Sequence, residues 1–304
     1  MEAVVEELWD VTREGPPSAD QLSLGLAAAK KERKLRIQHP LDAIFTLAFS
    51  EHTLMLAFAA LEAGLLLGIQ SPALLGSEKA NPLRKVPWYK NLPYAFVDCD
   101  WHDYDHAVHL EAVAAVRPKY ATVRDYLTVE QAQRAGIAYF SLDRILRWAE
   151  ELAQYAERVI IIPKADVIEA IPPQYVLGYS VPTRYGGTPL PIEIFAERQV
   201  HLLGGSWLAQ RQFLDQLGDA VVSIDFNYLY LVARYGGIVF ADGAKGSLPD
   251  FLPGKVINPI TVSSVLSLGF VSQALTDEYA PLSTNTSGRE GIRRAHFKEV
   301  ADDD

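Results

Sequence analysis

Cysteine is nearly absent: a chain of 304 residues carries one, Cys99. A single thiol excludes an intramolecular disulfide framework and any cysteine-rich zinc site, and it suits a reducing compartment. A basic excess is also missing. With 28 Lys and Arg against 38 Asp and Glu, the net charge is −10, which argues against a generic nucleic-acid coat but leaves room for a local basic groove. There is no apolar run of membrane-spanning length. The most apolar segment, residues 54–68, is short and contains Glu62, so it reads as a buried helix. Residues 1–7 are acidic and lack the basic start and apolar centre of a signal peptide. The expectation is a cytoplasmic protein with no membrane partner. Finally, no G-x-G-x-x-G follows any strand-like run, which disfavours an open dinucleotide-binding sheet.

What is present is a rhythm. Short β-branched and aliphatic runs occur at 35–38, 94–100, 119–123, 158–164, 175–181, 200–203, 220–227 and 238–242. Helix-compatible stretches separate most of them, notably 41–68, 104–116, 207–217 and 228–234. Eight strand candidates, the later ones spaced by roughly 20–25 residues, predict an α/β fold of the (β/α)8 barrel type. Residues 1–34 read as a helical extension, 35–275 as the barrel and 276–304 as a polar tail.

In such a barrel the reactive groups gather at the carboxyl ends of the strands. Asp98 and Asp100 close one strand candidate, Asp125 the next, and Asp225 the run 220–227. Each could instead cap the helix that follows. Delivered together from three strands, they favour acid/base or nucleophilic work at a carbon that develops positive charge, as in glycoside or nucleoside chemistry. His102 and His106 lie one helical turn apart, but no third nitrogen or sulfur ligand follows at metal-site spacing, so neither metal nor cofactor is expected. Asp103 is expected to cap the helix after it. Basic residues cluster at Lys30, Lys31, Arg33 and Lys34, at Lys79, Arg84, Lys85 and Lys90, and at Arg293, Arg294 and Lys298. Lys164, Arg184 and Arg234, near strand ends, are phosphate candidates.

The order of these signals resembles the tRNA-guanine transglycosylase superfamily. The segment from Val200 to Gly204 and Gly205, then Asp225, then Ala233-Arg234-Tyr235-Gly236 and Phe240, is similar to the closing part of that family. Its nucleophilic Asp precedes an Ala-Arg-x-Gly run at the spacing seen here, nine residues from Asp225 to Arg234. Phe96-Val97-Asp98-Cys99-Asp100-Trp101 is similar to its general acid/base strand. Asp125 falls where the family reads the base, and Gly178 falls near the strand that offers backbone contacts.

The resemblance implies a nucleophile at Asp225, a general acid/base at Asp98, base recognition by Asp125 and Asp100, and stacking by Trp101 or Tyr179. It also implies backbone donors near Gly178, Gly204 and Gly205. The zinc site of the tRNA enzymes is missing, the Gly-Gly after the general acid is missing, and Pro163-Lys164 stands in place of the family's Gln. The chain therefore looks most like the zinc-free branch that exchanges guanine in DNA for a 7-deazaguanine. The implied partners are DNA (or tRNA) and a free 7-deazaguanine base, with a homodimer compatible.

Overall fold

A computed structural model of the chain describes residues 41–47, 53–75, 87–183, 186–248 and 259–279. The expected extension at 1–34, the strand at 35–38, the tail beyond 279, and Lys79, Arg84, Lys85 and Arg184 lie outside the described residues.

Eight parallel strands close into a barrel in the order of the sequence. They are β1 (Asp42–Thr46), β2 (Leu66–Gln70), β3 (Tyr94–Asp98), β4 (Tyr120–Thr122), β5 (Arg158–Ile161), β6 (Val176–Ser180), β7 (Val200–Leu203) and β8 (Val221–Phe226). The helices are α1 (Thr53–Glu62), α2 (Ser71–Leu75), α3 (His106–Val116), α4 (Val129–Ala135), α5 (Leu142–Leu152), α6 (Trp207–Leu217), α7 (Tyr228–Ala233) and α8 (Pro259–Tyr279). This is the (β/α)8 architecture that the rhythm predicts. Among the described residues, no helix is long and apolar enough to cross a membrane.

The count of eight is right, but two members differ from the sequence reading. Residues 41–68, read as one long helix, contain β1, α1 and the start of β2. Apart from Asp42 and Thr46 in β1, Ser50-Glu51-His52-Thr53 leading into the helix and Glu62 at its end, the stretch is apolar, and periodicity cannot separate a short buried strand from a buried helix. The break comes at Gly64, whose φ of 78° ends the helix side. Conversely, the run 238–242 is not a barrel strand. Gly237–Val239 (β9) pairs antiparallel with Lys245–Ser247 (β10) through a tight turn in which Gly243, at φ 88°, donates its N–H to Phe240 O at 3.0 Å. By then β8 is paired on both sides, with β7 and β1, and no barrel edge is free.

Two apolar layers hold the barrel. Inside it, Ile44, Phe96, Tyr120, Ile160, Ile162 and Val176 pack together. Between strands and helices lies a larger layer to which α5 contributes Ile145, Trp148, Ala149 and Leu152, the spacing of a single helical face. Helix starts are fixed locally. Ser141 accepts from Arg144 N, Ser206 from Ala209 N, and Thr128 forms a capping box with Gln131. Asp105, rather than Asp103, caps α3, accepting from Ala107 N and Val108 N at 2.9 and 3.2 Å. At the amino end of the barrel, Tyr120 donates to Asp42 at 2.7 Å and Lys119 pairs with the same carboxylate.

Gly178 is where the interior is tightest. A Cβ there would meet Ile162 Cγ1 at 2.5 Å and Ile160 Cγ2 at 3.0 Å, atoms close to the backbone of a packed sheet. Gly178→Ala is therefore expected to destabilise the protein by roughly 1–3 kcal/mol, read as a lowered urea midpoint with an unchanged m-value.

Candidate active site at the carboxyl rim

β8 ends in Asp225, and its carboxylate is fixed from two strands. Gly204 N donates to Oδ1 at 2.9 Å from the end of β7, and Thr46 Oγ1 donates to Oδ2 at 3.0 Å from the end of β1. Gly204 takes φ 61° to aim that amide, a conformation cheap for glycine. His201, fully buried on β7, places Nε2 3.5 Å from Oδ1. This is ion-pair distance without the alignment of a hydrogen bond, since Nε2 has no hydrogen-bond partner. Its Nδ1 lies 2.7 Å from Ser223 Oγ. Gln210 on α6 ties both strand ends together, donating to Gly204 O at 2.8 Å and to Asp225 O at 2.7 Å.

Asp98 ends β3. Thr122 Oγ1 donates to its Oδ1 at 2.8 Å and itself accepts from Cys99 N at 2.8 Å. Behind Thr122 stands His109, whose Nε2 is 2.6 Å from Thr122 O and whose Nδ1 is 2.8 Å from Ser71 Oγ. Burial pushes that imidazole down to about 4, so it is neutral near pH 7. Burial also raises the Asp98 carboxyl from 3.8 to about 7. The negative charges of Asp225 and Asp125 contribute to that rise, against the Thr122 and Gln70 hydrogen bonds. Two carboxylates that influence one another in this way share a rim, and the perturbed one is suited to donating a proton.

Asp125 follows β4 and faces Lys164 after β5, with Nζ 3.6 Å from Oδ2. Both side chains are nearly buried. Burial raises the Asp125 carboxyl, Lys164 opposes it, and burial lowers the Lys164 ammonium. Lys164 thus forms one half of an ion pair with Asp125. None of the three carboxylates caps a helix. Thr128 caps α4, and the residue before α7, Asn227, makes no side-chain cap.

The other sequence-selected residues divide. Trp101 is 47% exposed on the β3–α3 loop, edge-on to His102, and is free to stack. Asp100 shapes that loop, with Oδ1 accepting from His102 N and Asp103 N at 2.9 and 3.1 Å. Tyr179 points the other way: its ring packs on Phe195 and Phe213 at 5.2 and 5.1 Å in the outer layer, so the stacking role expected of it is corrected, because alternate strand residues face opposite sides. Gly178 serves interior packing, and the Gly204 amide serves Asp225 rather than a base carbonyl. At Gly205, with φ 81°, a Cβ would meet Val181 at 2.5 Å. Lys164 is turned onto Asp125 instead of solvent, and Arg234 is exposed where α7 ends. His106 stacks on Trp148 and lies 2.7 Å from Glu151. Among the described residues, no group of three or more His, Cys, Asp or Glu could hold a metal.

Several site residues carry no signal in the sequence: Thr46, Thr122, His109, His201 and Gln210. Only His201 sits in a motif, one residue into β7, and its role appears only once β7 and β8 are neighbours.

Asp98 has a consequence for stability. Its folded pKa lies above its unfolded one, so between 3.8 and about 7 the folded protein holds a proton that the unfolded chain releases. The contribution to stability therefore falls as pH rises through that window. Asp98→Asn should raise Tm relative to the parent at pH 8, each kcal/mol counting for roughly 2–4 °C, and the gain should vanish near pH 4. Thermal melts at both pH values check this.

No curated protein matches the chain. Among solved structures it is similar to a crystal structure of the YdjI aldolase from Escherichia coli K12, with 11% identity over 81% of this chain and 92% of that one and a TM-score of 0.46. A family profile described as a family of unknown function (DUF6610) matches residues 60–250, more than half of the chain. The chain belongs to this family, DUF6610.

Proposed function

We propose that the protein is a base-exchanging pentosyltransferase that replaces guanine in DNA with a 7-deazaguanine, such as 7-cyano-7-deazaguanine, through a covalent Asp225–glycosyl intermediate. The observation that carries this reading is the pair Asp225 and Asp98. One carboxylate is held from both sides at the end of β8. The other, at the end of β3, keeps its proton up to about pH 7. Two carboxyl groups whose environments set them apart can divide nucleophile and acid between them. The residue order that resembles the guanine transglycosylases supplies the substrate class, by analogy.

In this mechanism a target guanosine leaves its stack, since the glycosidic bond is shielded there. An Asp225 oxygen attacks C1′. The C1′–N9 bond breaks, its electron pair goes to guanine, and Asp98 supplies the proton. The incoming deazaguanine gives its N9 proton to the Asp98 carboxylate and attacks C1′, and the bond to Asp225 breaks. Thr46 and Gly204 orient the nucleophile, and Trp101 offers a stacking face worth about 1–3 kcal/mol per base. Asp125 reads donor groups of the base, with Lys164 beside it. Cys99 takes no part: burial pushes its thiol well up, away from the reactive thiolate.

The test incubates the protein with guanine-containing DNA and radiolabelled 7-cyano-7-deazaguanine, with tRNA in a parallel arm. Label retained in DNA is the expected result. Base release without retention indicates a hydrolase, label in tRNA alone indicates the tRNA activity, and neither label nor release overturns the reading. Asp225→Asn should lose exchange by about a thousandfold or more together with any trapped adduct. With Asp98 acting as the acid, single-turnover guanine release should fall toward tenfold per pH unit above about 7.

A further inference from the structure

Beside the acidic rim lies a cavity of about 410 Å³, lined by His102, Asp103, Tyr104, Arg124, Phe140 and the segment 136–138. None of the three rim carboxylates lines it. What marks it is Arg124, the residue before Asp125. Its side chain is 1% exposed, and its Nη1 is buried with no hydrogen-bond partner. A guanidinium has five donors in a planar fork and stays charged, and a buried cation left short of acceptors is costly. The neighbouring carboxylate does not resolve this. Asp125 is engaged by Lys164, so Arg124, Lys164 and Asp125 together hold two positive charges against one negative.

We infer that this cavity is an anion-binding subsite in which Arg124 takes a phosphate group of a nucleotide. The volume lies within the range of small-ligand sites, about 300–1,000 Å³. The lining supplies a fork that matches phosphate oxygens bidentately, and the cavity is asked to hold the phosphate alone, with the base outside it. Asp103 is the carboxylate in the lining. It is exposed and forms no ion pair with Arg124 within 4 Å among the described residues. The subsite also meets a difficulty of the rim itself. The rim residues described are acidic and Lys164 is already paired with Asp125, so a polymer seated over the rim needs a cation next to it. In choosing a nucleotide as ligand, the inference rests on the proposed function; in choosing an anion, it does not.

The test is binding without turnover, using the full chain. Calorimetric titrations would compare 5′-GMP, a short single-stranded oligodeoxynucleotide without a terminal phosphate, and uncharged guanosine, against the parent, Arg124→Gln and Ala138→Trp. Residue 138 is exposed at the cavity lining, so the tryptophan takes up cavity space while the guanidinium is retained. Both variants should weaken the phosphate-bearing ligands tenfold or more and leave guanosine unchanged. For the oligonucleotide, Arg124→Gln should also lower the salt slope by about one. Loss confined to 5′-GMP identifies a free nucleotide as the source of the phosphate, and loss confined to the oligonucleotide identifies a polymer backbone. Should Arg124→Gln fail to fold, Ala138→Trp decides alone. Unchanged affinities in the folded variants, or equal losses for guanosine, overturn the subsite. Phosphate binding that depends on Arg124 in a protein inactive in base exchange would retain the subsite and reject the exchange reading.

Discussion

Closure of the barrel by β1 against β8 is the constraint on which the site depends. The two strands are far apart in the chain yet pair in parallel, with Ile44 beside Asp225 and Phe45 beside Phe226. An unclosed parallel sheet would leave two rows of unpaired backbone groups at its edges, and closure removes both. It also puts Thr46, two residues past the partner of Asp225, within hydrogen-bond reach of that carboxylate. On the other side β7 supplies Gly204 N and His201. One aspartate is thus held by three consecutive positions around the ring, β7, β8 and β1, and α6 fastens two of them through Gln210. Rigid strands holding a carboxylate from both sides provide the preorganisation that a nucleophile needs.

The rim is built against electrostatics and survives through division. Three carboxylates near one another cannot all be ionised cheaply. Asp225 is satisfied by neutral donors, Asp125 by Lys164, and Asp98 by keeping its proton through burial and its neighbours' charge. The proton on Asp98 is thus the solution to a repulsion and, in the proposed mechanism, a reagent. Ser71, His109 and Thr122 stand behind it in a chain of short polar contacts, and the neutral imidazole adds no competing charge. Arg124, one residue from Asp125 and lining the cavity beside the rim, keeps a positive charge close to these acids without pairing with them.

Much of this was legible early, unevenly. Strands such as 158–161 and 221–226 stand out because polar segments bracket them. β1 and β2 do not, because the helix between them is as apolar as they are. The run at 238–242 has the composition of a barrel strand and lacks only a place in the ring. At single residues the same division holds. Asp98, Asp125 and Asp225 are visible because an acid at the end of an apolar run has no packing reason to be there. Tyr179 has a suitable side chain on the wrong face of its strand. His109 and Thr122 look like any helical histidine and strand threonine, since what distinguishes them is a partner elsewhere in the chain.

By itself the sequence determined the alternation of strand and helix, the barrel class and the three acids at strand ends, because those follow from local hydrophobic pattern and from chemistry out of place. Only the tertiary structure decided which eight strands form the ring, which face each side chain takes, and which acid keeps its proton. Those depend on parallel pairing between distant segments, and on burial and charge summed over residues that become neighbours when the barrel closes.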